Sequence, residues 1–297
     1  MQAINEKQES DRGLLLQRGA DGAHSSAYRI EIWRITISFV VMLASIVATI
    51  VPAVVATTAI VGAAWSFVSV LLMSTASQRR TEVAAKLQHQ FDTRLCEIPW
   101  ESYAGEAIAD EELRRWARKS KLAETRMRTW YPDVADFPLP YAVLSCQRES
   151  LTLDWRLRRR FASALVAFAS AWSAAGIGIG LLGDLSVRTV ALQWFVPSSA
   201  ALILALRMAY GHSQVASAKD KWSAVVRSEL AGARPSGPSA KERKELMSKA
   251  AEVQQGLFVL RQRRERVPRP IYERYRDQDE ADMRETTADL RRHLGLA

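Results

Sequence analysis

From residue 35 to residue 78 the chain contains no Asp, Glu, Lys, Arg or His. Two more charge-free runs cover 161–183 and 189–206. A soluble helix rarely stays uncharged for so long, because one of its faces meets water. These absences exclude an ordinary globular core and point to a bilayer. A bilayer core takes about 20 helical residues, so 35–78 divides into spans near 35–50 and 54–73, with Pro52 helping to end the first. Residues 161–206 make a second hairpin, with Asp184 and Arg188 in its turn. Its last span is short and holds Gln193 and Pro197, so a re-entrant segment is the alternative reading there.

Cysteine is scarce as well. Cys96 and Cys146 are the full complement, too few for a secreted disulfide framework and best read as reduced, buried thiols. No cleavable signal peptide is expected, since the first 34 residues are polar and the first apolar run is too long and too far in. Catalytic words are missing: there is no G-x-S-x-G, H-E-x-x-H or G-x-x-x-x-G-K-[ST]. His24, His89, His212 and His293 are scattered without metal-ligand spacing. We therefore expect no enzyme, no cofactor and no metal. Gly178, Gly180 and Gly183 do satisfy G-x-G-x-x-G, but inside a span rather than between a strand and a helix. Close helix packing is the better reading, with Gly176 and Gly180 also forming G-x-x-x-G.

What is abundant is positive charge. Net charge is +9, and 41 residues are Lys or Arg. Segments 1–34, 79–160 and 207–297 hold 5, 16 and 19 of them, while the turn between the last two spans holds Arg188 alone. With four spans the three rich segments share one face. Such an excess marks the cytoplasmic side, and Arg156, Arg158, Arg159 and Arg160 at the entrance to the third span belong to that signal. They also suit anionic headgroups. No RNP signature, zinc-finger spacing or reader helix is present, so DNA or RNA binding is not expected.

The polar segments read as helical. Val83, Leu87, Phe91 and Leu95 recur at intervals of four. A helix is predicted over 107–128, acidic at its start and basic at its end. Another begins near Ala142 and runs into the third span. Ser239 and Glu242 form an S-x-x-E capping box. Beyond them Leu246, Ala250, Val253, Leu257 and Leu260 make a short heptad seam, which packs within the chain or joins copies of it. A last helix covers 271–294. The fold class is all-α: a four-helix transmembrane region of two hairpins with a helical cytosolic domain. Its parts are a cytosolic N-terminal helix (1–34), hairpin one (35–78), a central cytosolic segment (79–160), hairpin two (161–206) and a C-terminal cytosolic segment (207–297). We predict that the three cytosolic segments form one domain, because each alone has a thin apolar face.

Four words in the chain go further: "LQHQFDTRLCEIPW" (87–100), "RTWYPD" (128–133), "CQRESLTLDWRLRRR" (146–160) and "VQQGLFVLRQRRERVPRPIYERYRDQDEADM" (253–283). In this order they resemble the S-4TM family, four-transmembrane pore-forming effectors of bacteria. The resemblance covers nearly the whole chain. It implies an effector that permeabilises the inner membrane in anti-phage defence on receiving a cytosolic signal. It also implies functional association with a nucleotidyltransferase that makes cyclic oligonucleotides. Multi-pass insertion in the inner membrane with both termini cytoplasmic, contact with membrane lipids and homo-oligomerisation when active follow from the same reading. A cyclic oligonucleotide is anionic and has stackable bases, so arginines and aromatics suit it. The ligand-binding candidates are Arg148, Arg158, Trp100, Trp130, Tyr131 and Trp155. For the tryptophans the alternative is an interfacial or core position, and for Arg148 an internal ion pair with Asp154. Two other functions stay open: a non-conducting membrane scaffold that recruits a partner, and a small channel or transporter.

Overall fold

The computed structural model describes residues 3–152, 155–263 and 267–296. It is 83% helical, with no strand among the described residues. Helices α1 (Ile4–Glu9) and α2 (Asp11–Ile50) are followed by a 3-10 turn at Pro52–Val54. Then come α3 (Val55–Phe67), a π-helical segment (Val68–Met73) and α4 (Ser74–Cys96). Short helices α5 (Asp110–Ala117) and α6 (Glu124–Arg128) lead to α7 (Leu139–Thr152) and α8 (Trp155–Leu182). Next are α9 (Val187–Val190), a second π-helical segment (Ala191–Phe195) and α10 (Val196–Ala231). Helices α11 (Ala240–Arg261) and α12 (Arg269–His293) complete the chain. It divides into two compact units: Met1–Ser25, Arg80–Leu157 and Val215–Ala297 in one, Ser26–Arg79 and Arg158–Gln214 in the other.

The second unit contains the charge-free runs, and four helices of the protein are long and apolar enough to cross a membrane. The uncharged spans are the hairpin-turn ends of longer helices: α2 ends at Ile50, α3 begins at Val55, α8 ends at Leu182 and the last helix begins at Val187. The last is a continuous helix from Val187 to Ala231, which replaces the re-entrant alternative. Within it, Pro197 lacks an N–H and crowds the carbonyl four residues back, and the helix is π-helical at that place. Large apolar side chains face outward: Ile50, Ile60, Val187 and Leu182 are 75, 71, 87 and 92% exposed. Lipid, not water, is the solvent that tolerates such a surface.

Inside the second unit the contacts are small and hydroxyl-rich. Arg34, Ser38, Met42, Ser45 and Ala48 lie buried along one stripe of α2. Trp65 Nε1 donates to Ser38 Oγ at 2.8 Å, and Ser66 Oγ lies 2.8 Å from Ser199 Oγ. Arg34 ends the polar part of α2. Its Nη1 donates to both oxygens of Glu31 (2.9 and 2.7 Å) and its Nε to Ser69 Oγ (3.4 Å) within the first π-helical segment. Gly176 lies against Trp194, where an added Cβ would come within 2.4 Å of the indole. Trp194 stacks on Trp172 with centroids 4.5 Å apart and donates Nε1–H to the Trp172 carbonyl (3.1 Å). A Cβ on Gly180 would meet Val190 at 2.6 Å, whereas one on Gly178 would meet nothing within 4 Å.

The first unit is built around the stripe of α4. Leu87, Phe91 and Leu95 are buried in a core with Leu113, Val143, Leu144, Val253 and Leu257, and Val83 packs against it. The heptad seam is used inside the chain: Ala250, Val253 and Leu257 are buried there, with Leu246 and Leu260 packed alongside. The capping box of α11 is present. Ser239 Oγ accepts from Glu242 N, and a Glu242 carboxylate oxygen accepts from Ser239 N at 2.9 Å. The single helix expected over 107–128 is instead α5 and α6. Between them, Asp21 of α2 accepts from Ser120 Oγ (2.7 Å) and Lys121 N (3.3 Å), so these groups bond outside any helix. Arg291 of α12 holds Asp136 through its Nε at 2.8 Å, and this partner keeps the Asp136 carboxyl below its usual pKa.

The glycine contacts generate a paired prediction. Gly176→Ala pushes a methyl into Trp194 and costs about 1–3 kcal/mol by overpacking. Gly178→Ala adds helix propensity without a clash. In thermal unfolding of the detergent-solubilised protein, the first lowers the midpoint and the second raises or preserves it. Equal losses from both would refute the packing role of Gly176.

Candidate functional site

A cluster of polar side chains lies buried deep inside the first unit. Asp92 on α4, 1% exposed, follows Phe91 on the core stripe. A carboxylate there needs several donors to replace water. The Arg261 guanidinium, at the end of α11, pairs with it. Gln254 Nε2 donates to Asp92 Oδ2 at 3.0 Å, and Tyr131 Oη–H to Asp92 Oδ1 at 2.8 Å. Ser150 Oγ of α7 lies 3.3 Å from Tyr131 Oη and accepts from Arg261 at 3.4 Å. Gln147 Nε2, also on α7, donates to Gln254 Oε1 (3.1 Å) and to the Ala250 carbonyl (2.8 Å).

The network continues into a ring cluster. Gln254 Nε2 lies 3.4 Å from His89 Nδ1. An amide nitrogen only donates, so Nδ1 is the acceptor and Nε2 carries the proton. Tyr103 Oη, 3.3 Å from that Nε2, receives it. The His89 ring is packed by Phe258 and Trp100, with centroids at 4.7 and 5.0 Å. Electrostatics follow the geometry. Burial, then the Asp92 charge, pushes the Tyr131 hydroxyl pKa well up. Burial works against the Arg261 charge, but Asp92 and Tyr131 outweigh it and raise its pKa.

Beside this network is a cavity of about 120 Å³, lined by Gln17, Ala20, Asp21 and His24 of α2, Gln88 and Phe91 of α4, Leu122 and Trp130. Phe91 lies between the two features. Its ring stacks on Tyr131 with centroids 6.2 Å apart and planes 10° from parallel. No group of three or more His, Cys, Asp or Glu placed to hold a metal occurs among the described residues.

The ligand candidates named from the sequence are dispersed. Tyr131 is 6% exposed and committed to Asp92. Trp130, 39% exposed, lines the cavity. Trp100 is half-buried on His89, its Nε1 donating to the Gly105 carbonyl at 2.8 Å. Arg148 is half-buried on α7, with Arg227 and Asp289 as charged neighbours. Its suggested partner Asp154 lies outside the described residues. Trp155 is half-buried under the Arg156 guanidinium, 5.6 Å from the ring centroid. Arg158 belongs to the second unit, 3.3 Å from His212 Nδ1. The sequence did not single out Asp92, Gln254 or Arg261, which are 162 and 169 residues apart when they pair. The available signal was a polar residue on an apolar stripe: Asp92 beside Phe91, and Gln254 beside Val253.

The network draws a part from each of the four words. Asp92, Tyr131, Gln147 with Ser150, and Gln254 with Arg261 come one word each, in order. Apolar helices able to cross a membrane, joined in one chain to a helical unit with a buried charge, define an all-α membrane protein. The chain belongs to the SMODS-associating 4TM effector domain family, whose profile matches residues 2–290. Over 123 residues it is 27% identical to a probable CBASS effector molecule of Bacillus cereus (strain VD146). That stretch is 41% of this chain and 42% of the relative, so the likeness spans under half of the relative's length. No solved structure matches the chain.

Removing one member of a buried ion pair leaves the other uncompensated, at a cost of about 3–5 kcal/mol. Losing one hydrogen bond to a charged group costs about 1.5–3 kcal/mol. Asp92→Ala is therefore expected to lower the unfolding midpoint in detergent more than Tyr131→Phe, and Arg261→Met in the Asp92→Ala background to recover part of the loss. The reverse order of the single variants would show that the pair does not organise this unit.

Proposed function

We propose that the protein is a bacterial anti-phage effector that permeabilises the inner membrane when a cyclic oligonucleotide signal reaches its cytosolic face. It acts physically, not by catalysis. The observation that carries this reading is helix continuity. Helices α2, α4 and α10 each run from the first unit into the second. A conformational change around Asp92 therefore has continuous helices along which to act on the apolar unit, and packed elements switch between discrete arrangements instead of deforming smoothly.

Family membership supports the effector role, and the likeness to a probable CBASS effector molecule of Bacillus cereus supports a place in a CBASS system. The signal then comes from a nucleotidyltransferase partner, as the SMODS association implies. The charge distribution, with 40 of 41 Lys and Arg outside the uncharged hairpins and their turns, supports cytosolic termini and a cytosolic first unit. It also suits an anionic ligand and anionic lipid. The outward apolar faces of the second unit are surfaces on which several copies assemble in lipid when active. Arg148, Arg158, Trp100, Trp130 and Trp155 remain the side chains to contact the signal from their half-exposed positions, and Tyr131 acts from within through Asp92.

Dye release from liposomes containing the purified protein tests this, with and without a panel of cyclic di- and trinucleotides. Release with one ligand is the expected result. No release with any of them, from protein shown to be folded and inserted, would refute permeabilisation and favour a scaffold that recruits a protein partner.

A further inference from the structure

Gln17 is 5% exposed, and neither its carboxamide oxygen nor its nitrogen has a hydrogen-bond partner. Burying an amide in this way is costly, and such a cost is retained where a ligand later pays it back. The side chain lines the cavity between α2 and α4 described above. An apolar cavity of about 150 Å³ takes one benzene, so a volume of about 120 Å³ receives one edge of a flat ring system, the rest lying in the open mouth beside Trp130, and excludes a whole nucleotide. None of the lining residues is Lys or Arg and one is Asp21, so the lining favours a neutral occupant over an anion. Asp21 is already engaged by Ser120 and Lys121. Ala20, Phe91 and Leu122 supply apolar walls, and Trp130, the most exposed of the lining residues, supplies an aromatic face.

A carboxamide places a donor beside an acceptor. Its match is a planar heterocycle with an adjacent acceptor and donor on one edge, which is how a nucleobase presents itself, while the base faces stack on aromatic side chains. We propose that this cavity is a receptor pocket for one neutral nucleobase, read by Gln17 and stacked on Trp130, with any sugar and phosphate left outside. A free nucleoside and the base of a cyclic oligonucleotide share this chemistry. In the second case the pocket is the sensing site of the effector and rests on the function proposed above. An occupant would touch Phe91, whose ring stacks on Tyr131, the donor to Asp92.

Titration calorimetry on the full chain in detergent tests the pocket with four nucleosides (adenosine, guanosine, cytidine, uridine) and the cyclic oligonucleotides of the leakage panel. Wild type is compared with Gln17→Leu and with Ala20→Leu, which fills the space and leaves the carboxamide in place. Wild type binds at least one base-bearing compound saturably, Gln17→Leu binds it about tenfold more weakly, and Ala20→Leu does not bind it. Because Leu removes an unpaired amide, Gln17→Leu also raises the unfolding midpoint without ligand. No wild-type binding, unchanged binding by Gln17→Leu, or a lowered midpoint in that variant overturns the pocket. Binding of nucleosides alone supports it with a free base as occupant. Leakage that a cyclic oligonucleotide triggers equally in wild type and both variants overturns the pocket as the sensing site and leaves the effector function standing. Binding that the variants abolish, without leakage in wild type, sustains the pocket and removes that function.

Discussion

A carboxylate placed in the middle of a hydrophobic core is the condition on which the first unit is built. Asp92 has no route to water, so its charge is met by Arg261, Gln254 and Tyr131. These donors come from α11 and from the loop before α7, while α7 adds Ser150 and Gln147. Apolar side chains alone tolerate several packings of similar energy. A charge that one arrangement of donors satisfies does not. We read the network as the device that fixes how α4, α7 and α11 meet, at a cost in desolvation that a plain aliphatic core would avoid.

The second unit obeys other rules. Lipid removes the hydrophobic drive between helices, so close approach and local hydrogen bonds replace it. Gly62 lies against Pro197, Gly176 against Trp194 and Gly180 against Val190. Serine hydroxyls such as Ser45 bond back to carbonyls of their own helix. At the polar end of this unit Arg34 is fully buried, yet it is paired with Glu31 and bonded to Ser69 in a π-helical segment. Segments of this kind often occur at functional positions in helices.

Much of the architecture was legible in the sequence because its cause is local. An uncharged run declares a span, S-x-x-E declares a cap, and intervals of three and four declare the buried face of α11. The misses have long-range causes. The break between α5 and α6 coincides with bonds from Ser120 and Lys121 to Asp21, about a hundred residues earlier, and no local signal in 118–123 announces it. The site is less legible still. Tyr131 was named for its aromatic ring, yet it serves through its hydroxyl, inward. Asp92 and Arg261 carry no local sign of pairing, and the fold brings them together across 169 residues. The words that carry the family resemblance held the information, but only the tertiary structure shows that their polar residues meet.

The first unit is assembled from three stretches of chain separated by the two hairpins. Helices α4 and α7 emerge early in synthesis, but Gln254 and Arg261 are made only after both hairpins have left the ribosome. Until then the Asp92 charge has no ion partner and the core of α4 no cover from α11. Contacts of such long sequence separation form late. The first unit is thus completed last, so truncated chains lack the cation that meets Asp92.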